Sequence, residues 1–525
     1  MAQEKSLTAI LDPGRNCWKS ARADQSGVLV DAAAYYRAFY AAASQAKKSI
    51  ILSGWQFDRG VPLVRGQDAP PGAEVRLLAF LNQLCEHNPE LEVYILAWDF
   101  NVVFALEREW MQTLYFQWAT NERLQFRFDE AQAAQGSHHQ KFAVIDRSLS
   151  FLGGMDLCEA RWDDRRHQQD NPLRVSRGKP AKPYHDVQAY LVGCRTADAL
   201  RELFVDRWGR SEGPQLILPE CESAASSSAY SPPGSLSLGA YEVAFSRTDP
   251  RGPNNDVREV EALLMDAIRA AERLIYIETQ YFSSRAIGDA LISRMRESGR
   301  GRLQLVVILN DKPEAVKEEL AIGLRQAKIM SQLARVAQET GHALGVYGTL
   351  CEGQARERPA TYIHSKMLIV DDRFLTVGSA NLTNRSMGVD TELNVSWEAP
   401  EGRTADDPLV ERIRSLRVSL LEEHTGLAEA TAEQRAASDL GNREGLVARL
   451  DELSSTQNAR LTRHIMASQL ERQVMKVIDP EALPFDPARA DYAADSEAPE
   501  PDEEPHSRSL FIGGVSALWD RLKPS

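Results

Sequence analysis

The chain has 525 residues, of which 43% are apolar, and it carries a formal net charge of −14 at pH 7. This length predicts two to four domains with a large core. The acidic balance argues against a general nucleic-acid binder, which needs a basic surface to neutralise phosphates. Neither an apolar run of about 18 residues nor a signal-peptide core occurs, so we expect no membrane span and no signal-dependent export.

The first half of the chain alternates predicted helices with buried strands. Apolar residues follow helical spacing over 32–46, and SIILSGW at 49–55 then indicates a strand. Three more strands are predicted in this half, at LEVYILAW, FAVID and DVQAYLVG. A stretch rich in Ser, Pro and Gly, residues 222–239, indicates a linker or long surface loop.

The second half repeats this order. A helix over 257–271 precedes the strand LIYIETQYF, and further strands are predicted at LQLVVILN, MLIVD and ELNVSW. After about residue 405 we expect no more strands. Helices are predicted over 410–424 and 444–474, followed by an acidic, Pro-rich and disordered stretch at 491–505. The short amphipathic end, 509–522, is expected to dock on the body, with a peripheral membrane contact as the alternative.

Two motifs of the form H-x-K-x-x-x-x-D carry the chemistry. The first has His139, Lys141 and Asp146, and the second, 225 positions later, has His364, Lys366 and Asp371. The segment around Ser49 also matches the segment around Leu274 at the same offset of 225. One motif alone would mean little, because these residue types often meet at an exposed strand end. Two copies at equivalent positions indicate the halves of one duplicated active site.

The residue types suit a phosphodiester. If each motif lies on a strand, its His and Lys project to the same side. Two such strands then offer two imidazoles around one phosphate, with two ammonium groups that offset its negative charge. One imidazole can attack phosphorus while the other protonates the leaving alcohol, and water later releases the phosphohistidine. This mechanism requires no metal.

The doubled motif resembles the signature of the phospholipase D superfamily, in particular its eukaryotic-type, phosphatidylcholine-hydrolysing members. The similarity extends over about residues 30–425 through the blocks SHHQKFAVID, FLGGMDLCEARWD, PYHDVQAYLVG, IETQYF and YIHSKMLIVDDRFLTVGSANLTNRSMG. It implies an α/β fold with two repeated lobes, each a mixed β-sheet flanked by helices, related by a pseudo-twofold axis and followed by a helical C-terminal extension. We accordingly divide the chain into an N-terminal catalytic lobe (1–215), a linker (216–240), a C-terminal catalytic lobe (241–425), a helical extension (426–485) and an acidic tail (486–525).

The resemblance also implies roles for single residues. His139 would be the nucleophile and His364 the general acid and then base, while Lys141 and Lys366 would bind phosphate oxygens. Phosphate contacts are further implied for Asn381, Ser379 and Gly154, and Asp156 stands in the turn of the first half that corresponds to Asn381.

Carboxylates are expected to support the histidines. Asp186 and Glu392 would orient His139 and His364, with Asp390 as an alternative to Glu392. Asp146 and Asp371, at strand ends, are expected to stabilise turns. No cofactor or metal is implied. Many members of the family carry upstream lipid-binding modules, which we do not expect here because the chain begins so close to the catalytic half.

The other histidines have simpler interpretations. His138 would face the opposite side of its strand in a structural or pocket-rim role. His185, beside Asp186, is expected either to support the site or to lie in the core or on the surface. Surface placement is the default prediction for His87, His167, His342, His424, His464 and His506. Packing is the first interpretation of Trp55 and Tyr281, with the lining of an acyl or headgroup pocket as the alternative. An architectural role is expected for Arg161, Trp162 and Asp163.

The leading functional hypothesis is a phospholipase D that releases phosphatidic acid and a free headgroup, with transfer to alcohols as a side activity. The alternatives are a cardiolipin-synthase-like phosphatidyl transferase, a nucleic-acid phosphodiesterase, and a lipid-binding scaffold with a degenerate site. We expect a phospholipid substrate on a membrane surface, no nucleic-acid partner and a monomer. The six cysteines form no metal-binding spacing, which favours reduced thiols and a cytoplasmic location. A peripheral membrane position and export by a signal-independent route stay open.

Overall fold

The computed structural model describes ten ranges of the chain. These are residues 9–98, 120–129, 136–211, 213–219, 230–251, 256–310, 322–353, 358–400, 407–464 and 486–487. The predicted disordered stretch at 491–505 and the amphipathic end at 509–522 lie outside them. Among the described residues, no helix is both long enough and apolar enough to cross a membrane.

The first half of the chain builds a mixed sheet of eight strands. In spatial order the strands are Leu236–Gly239, Gln25–Val30, Val187–Val192, Leu149–Gly153, Phe142–Ile145, Ser49–Gly54, Glu92–Trp98 and Leu124–Asp129. Neighbours run antiparallel as far as Ser49–Gly54, and the last three strands run parallel. The parallel strands come from the part of the chain in which strands and helices were predicted to alternate.

The second half builds a larger mixed sheet. Its main path has the order Lys19–Arg22, Glu242–Asp249, Glu392–Glu398, Phe374–Gly378, Met367–Val370, Leu274–Glu278, Gln304–Ile308, Ala343–Thr349 and Leu461–Arg463. The short strand Val257–Arg258 pairs with Glu242–Asp249 beside this path. Antiparallel pairing again gives way to three parallel strands, which begin with Leu274–Glu278.

The two sheets therefore repeat one strand order and one pattern of strand directions over eight strands. Each sheet takes its first edge strand from the other half. Lys19–Arg22 precedes the first sheet in the chain but pairs with Glu242–Asp249 of the second, whereas Leu236–Gly239 precedes the second sheet but pairs with Gln25–Val30 of the first. The predicted linker thus ends in a strand, and this exchange ties the halves together.

Helices cover both sheets. They span Asp31–Ala43, Leu77–His87, Cys194–Arg210, Glu259–Ala270, Arg285–Arg296, Leu324–Thr340, Asn384–Gly388, Pro408–Thr425, Ala432–Ser438 and Leu446–Ser454. One apolar core combines side chains of both sheets with the helices Cys194–Arg210 and Pro408–Thr425. Two further cores lie on the other faces of the two sheets. Because both faces of each sheet are covered, the central strands are almost entirely apolar, as the sequence showed.

The predicted α/β class and strand positions are confirmed in both halves. The C-terminal prediction is wrong in two respects. The helix predicted over 444–474 ends at Ser454, and Leu461–Arg463 then pairs antiparallel with Ala343–Thr349, so strands do not stop near residue 405. The helical spacing of the segment could not reveal an open sheet edge that a chain segment can occupy.

The acidic tail also begins differently from its prediction. Asp486, its first residue, is buried. Its carboxylate accepts hydrogen bonds from the Ser283 hydroxyl at 2.6 Å and from the Arg385 backbone N–H at 3.0 Å. This residue is therefore part of the folded body.

Candidate active site

The two H-x-K segments meet where the halves join. Each segment lies directly ahead of a strand rather than within it. The His139 backbone N–H donates to the Thr391 carbonyl at 3.1 Å, and the His364 N–H donates to the His185 carbonyl at 2.8 Å. Each segment therefore forms backbone hydrogen bonds with the opposite half. This cross-pairing displaces the motif from the strand that the sequence predicted.

Each motif histidine contacts a carboxylate from the other half. His139 Nδ1 lies 2.9 Å from Glu392 Oε2, and His364 Nδ1 lies 2.6 Å from Asp186 Oδ2. In both rings the second nitrogen, Nε2, is left for chemistry, because a carboxylate at Nδ1 favours the tautomer with the proton on Nδ1. The predicted carboxylates are thus in place, and their assignment is crossed between the halves.

Asp390, the alternative to Glu392, has other partners. Its carboxylate pairs with the Arg385 guanidinium at 2.6 Å and accepts hydrogen bonds from the Ser137 backbone and hydroxyl, both at 2.9 Å. It therefore anchors the segment that leads into the first motif, and Glu392 takes the contact with His139.

The two lysines are almost completely buried, with 2% of Lys141 and 1% of Lys366 exposed. Lys141 Nζ donates to the His139 carbonyl at 3.0 Å, and Lys366 Nζ donates to the His364 carbonyl. Burial lowers the pKa of Lys366 to about 7 and also lowers that of Lys141. Two cations held in a dry site are costly, and an anion that enters between them would offset that cost.

The same burial acts on the histidines and their carboxylates. Burial and then the neighbouring lysine hold the pKa of His139 and of His364 well below its ordinary value. Burial raises the pKa of Asp186 to about 6. It also raises the pKa of Glu392, although the Ser379 hydroxyl and the Lys141 ammonium each act to lower it. Both imidazoles are therefore neutral near pH 7, and an anionic substrate would favour protonation of one of them.

The surroundings of the two lysines differ. Lys141 Nζ lies 3.8 Å from Asp156, whose carboxylate also pairs with the Arg161 guanidinium at 3.0 Å. Lys366 Nζ instead donates to the Gln280 amide oxygen at 3.3 Å, and the Asn381 amide donates to the same oxygen at 3.3 Å. Asn381 therefore lies beside Lys366, where the sequence placed a phosphate contact.

Ser379 and Gly154 have other roles than the phosphate contacts predicted for them. The Ser379 hydroxyl donates to Glu392 Oε2 and accepts from the Leu393 backbone at 3.0 Å. A Cβ atom on Gly154 would lie 2.3 Å from a carboxylate oxygen of Asp186, so this glycine makes room for that side chain. Its own N–H donates to the Val187 carbonyl at 3.3 Å. Both residues hold the carboxylates that orient the histidines.

Asp146 and Asp371 lie away from the histidines and hold matching turns. Asp146 accepts from the backbone N–H groups of residues 47, 48 and 49 at 2.7–3.0 Å. Asp371 accepts from those of residues 272, 273 and 274 at 2.7–2.8 Å. Both residues have a φ of +53°. Each aspartate closes the loop between a helix and its strand, as a turn-stabilising residue would.

The comparisons with known proteins agree with this arrangement. A family model described as "Phospholipase D" matches residues 42–290, and one described as "Cardiolipin synthase, PLD-like domain" matches residues 264–411. Together they cover both motifs. The chain belongs to the phospholipase D superfamily.

Relatives in this superfamily are distant. Phospholipase D alpha 1 of Brassica oleracea var. capitata is 23% identical over 74% of this chain, and the enzyme of that name from Zea mays is 24% identical over the same share. The chain spans 63% of the length of these relatives. Among solved structures, the phosphatidylserine synthase of Haemophilus influenzae Rd KW20 is 15% identical with a TM-score of 0.52, over 77% of this chain and 88% of that one. This last similarity concerns the fold alone.

Several residues near the superfamily motif were not predicted to contact it. Arg161, interpreted as architectural, adds a third cation to the site through Asp156. Gln280 contacts both Lys366 and Asn381, and the Tyr184 ring centroid lies 5.3 Å from that of His364. All three residues lie in sequence blocks that resemble the superfamily, and this is the one feature of the sequence that could have pointed to them. Their spacing from the motifs does not predict a place in the site.

Trp55 stacks on Trp98 with ring centroids 5.7 Å apart, and the Tyr281 hydroxyl lies 3.3 Å from that of Tyr362. These contacts agree with the packing interpretation of both aromatics. His138 is fully buried, with Ser53 Oγ at 2.8 Å and Asp129 Oδ2 at 2.9 Å, so its role is structural.

His167 and His424 are also buried, at 1% and 2% exposed, which makes the surface prediction wrong for both. Like His185, they lie in a cluster of carboxylates. Their partners are distant in the chain, so no local pattern revealed the burial.

Proposed function

We propose that this protein is a phosphodiesterase of the phospholipase D type that hydrolyses glycerophospholipids to phosphatidic acid and a free headgroup. The crossed pairs His139–Glu392 and His364–Asp186 carry this proposal. Each half supplies one imidazole and the carboxylate that orients the other half's imidazole, so neither half has a complete site alone. With Lys141 and Lys366 buried beside them, the pairs supply the nucleophile, the acid and the cations that reaction at one phosphate group requires.

In the first step His139 Nε2 attacks phosphorus while the bond from phosphorus to the headgroup oxygen breaks. His364 Nε2 gives its proton to that oxygen, so the headgroup leaves as an alcohol rather than as an alkoxide. The phosphatidyl group stays on His139 as a phosphohistidine. The lysines and Arg161 offset the negative charge that accumulates on the phosphoryl oxygens.

In the second step His364, now neutral, takes a proton from water as the water oxygen attacks phosphorus. The bond from phosphorus to His139 breaks and phosphatidic acid is released. If an alcohol replaces water, the same step yields a phosphatidyl alcohol. The proposal therefore includes transfer to added alcohols.

The experiment uses vesicles of phosphatidylcholine or phosphatidylethanolamine, with and without ethanol, and mass spectrometry of the lipid products. We expect phosphatidic acid without ethanol and phosphatidylethanol with it. The double variant H139A/H364A is the control and should form neither product. If the wild-type protein forms neither product from either lipid, the proposed reaction is wrong.

A second candidate is a phosphatidyl transferase that uses a lipid alcohol as acceptor. The match of residues 264–411 to the model described as "Cardiolipin synthase, PLD-like domain" favours it. Vesicles of phosphatidylglycerol separate the two reactions. Formation of cardiolipin and glycerol in excess over phosphatidic acid would favour the transferase, whereas phosphatidic acid as the main product would favour the hydrolase.

A further inference from the structure

A second cluster of ionisable side chains lies apart from the catalytic pair. It consists of Asp31, His167, His185 and Glu423, which are all 0–1% exposed. One ligand atom from each of these residues lies within 4.8 Å of those of the others. The first three residues belong to the first half of the chain, and Glu423 lies on the helix Pro408–Thr425. The cluster therefore joins the C-terminal helix to the first half.

The spacing within this cluster suits a tetrahedral ion. His185 Nδ1 lies 2.8 Å from Glu423 Oε1 and 3.2 Å from Asp31 Oδ1. His167 Nε2 lies 3.0 Å from Glu423 Oε1 and 3.5 Å from Asp31 Oδ2. Ligands at the usual distances of Zn²⁺ from nitrogen and oxygen are roughly 3.3 Å apart in a tetrahedron. Small shifts of these four side chains would thus place them around one ion.

The outer ring nitrogens are held in the way that is typical of metal ligands. His167 Nδ1 lies 3.0 Å from Asp163 Oδ2, and His185 Nε2 lies 3.0 Å from Glu278 Oε2. A carboxylate at the outer nitrogen keeps a proton there and leaves the inner nitrogen with its lone pair directed at the cluster. Metal-binding histidines usually have such a partner.

Two inner atoms lack a hydrogen bond. Among the residues that the structure describes, His185 Nδ1 and Asp31 Oδ2 are buried without a hydrogen-bond partner, although oppositely charged groups lie close to both. Buried polar atoms of this kind cost about 1–3 kcal/mol each if they stay unsatisfied. Asp31 also has a φ of +64°, an uncommon conformation for a residue other than glycine. These features together point to a ligand between the four side chains.

We propose that Asp31, His167, His185 and Glu423 bind one divalent transition-metal ion, and that Zn²⁺ is the ion that they select. Imidazole nitrogen and carboxylate oxygen are both ligands of Zn²⁺, and four of them in one cluster match its preference for tetrahedral coordination. The ion fastens the helix Pro408–Thr425 to the first half and has no part in the chemistry at His139 and His364. The competing arrangement has a proton on each inner nitrogen, which would give the same total charge without a metal.

Metal analysis separates the two arrangements. The full chain, expressed without a polyhistidine tag and in medium with added Zn²⁺, is desalted and its metal content is measured by mass spectrometry. We expect about one Zn²⁺ per chain, as one four-ligand site requires. His167→Ala should reduce the Zn²⁺ content to background. Its matched control, His342→Ala, removes a half-buried histidine that contacts backbone groups, and it should keep the ion.

The catalytic histidines provide a second control. H364A should retain the full Zn²⁺ content, because His364 lies outside the cluster. Loss of the ion from H364A would mean that the metal binds between the catalytic histidines, and it would overturn the proposed site.

The wild-type protein gives a test that does not depend on the folding of variants. Removal of Zn²⁺ by dipicolinate should lower the melting temperature, and added Zn²⁺ should restore it while added Mg²⁺ should not. A folded wild-type chain that holds no Zn²⁺ after incubation with excess Zn²⁺ and desalting would overturn the proposal and leave the cluster to the protonated arrangement. None of these measurements depends on phospholipase activity, so they stay valid if the proposed reaction is wrong.

Discussion

The two halves share a strand order and a motif, but the charges around the motif differ. In the first half Lys141 lies near the carboxylate of Asp156, which Arg161 also contacts. In the second half, among the residues that the structure describes, Lys366 Nζ donates to the Gln280 amide oxygen and to the His364 carbonyl. The two halves therefore share the strand geometry of the site but differ in the charges around it.

The difference assigns unequal tasks. Within the described part of the chain, Lys366 forms no ion pair of the kind that joins Lys141 to Asp156, and burial lowers its pKa to about 7. It therefore depends most on an incoming anion to stay charged. The first half, with an extra carboxylate and an extra cation, has a charge balance of its own. We therefore expect substitutions at equivalent positions of the two halves to differ in how much activity they remove and in which step they affect.

Removal of either catalytic histidine should have the largest effect. His139→Ala and His364→Ala should each reduce kcat by a factor on the order of 10⁴ or more, since each half-reaction uses both residues. Turnover of phosphatidylcholine vesicles measures this loss. His87→Ala, at the end of the helix Leu77–His87, is the control and should keep full activity. A single variant with most of its activity would contradict the shared site.

The same pair of variants shows which histidine attacks. H364A should accumulate a phosphorylated protein when a substrate with a good leaving group is used, because that leaving group needs no acid but the release step needs a base. H139A should form no such adduct. Peptide mass spectrometry locates the phosphoryl group, and an adduct on His364 of H139A would reverse the assignment.

Replacement of the lysines should have the next largest effect. Lys141→Ala and Lys366→Ala should each reduce kcat/KM by roughly 10²–10³-fold, the usual effect of losing one group that stabilises a transition-state charge. We expect the greater loss for Lys366, because Arg161 lies at Asp156 beside Lys141 and can replace part of the charge lost there. Equal losses would mean that Arg161 contributes nothing to phosphate binding.

The orienting carboxylates should have smaller effects that differ between the halves. Asp186→Asn and Glu392→Gln should each lower kcat by about 10–100-fold, as is typical when a group that orients a functional histidine is removed. Asp186 acts on the proposed acid, so the Asn variant should lose less kcat/KM, which reports the first step alone, with a substrate whose leaving group needs no proton. Glu392→Gln should lose the same factor with both substrates. A purely structural role would give no such dependence on the leaving group.

Much of this architecture could be predicted from the sequence, because strand and helix patterns are local. The doubled motif placed His139 and His364 together, and the matching offset predicted the repeat. Four features could not be predicted, since they depend on contacts between distant segments: the crossed carboxylates, the exchanged edge strands, the strand Leu461–Arg463 and the burial of His167. The contacts of Gly154 with Asp186 and of Ser379 with Glu392 could not be predicted either, because the position of a residue in the motif does not show which side chain it touches.

The pH dependence should also distinguish the halves. Lys366 is a cation below its pKa of about 7 and neutral above it, so substrate binding should weaken as the pH rises through that value. With a substrate whose leaving group needs no proton, so that His364 need not act as an acid, we expect kcat/KM of the wild type to fall roughly tenfold between pH 6 and pH 8, which corresponds to one titrating group. The pKa of His139 is well below its ordinary value, so the nucleophile stays neutral over this range.

Lys366→Arg is the matched variant, because arginine stays charged at every pH in this range. Its different geometry should lower kcat/KM throughout, but the fall between pH 6 and pH 8 should disappear. Lys141→Arg should leave the fall in place. A fall that persists in the Lys366 variant would have to come from another group.

The smallest effects are expected at the two turn aspartates, on stability rather than on turnover. Asp146→Asn and Asp371→Asn keep the side-chain shape and tolerate the φ of +53°, but they weaken hydrogen bonds from three backbone N–H groups to a charged acceptor. We expect each to lower the free energy of unfolding by about 1.5–3 kcal/mol in urea titrations. Asp371, only 6% exposed, should give the larger loss.

Asp439→Asn is the control for these two variants. Asp439 also has a positive φ, of +49°, but it is exposed, and its replacement should lower the free energy of unfolding by less than about 0.5 kcal/mol. Per folded molecule, kcat should be unchanged in all three variants, because none of these side chains contacts the histidines; a loss of kcat at Asp146 or Asp371 would show that the turns also set the positions of the motifs that they follow.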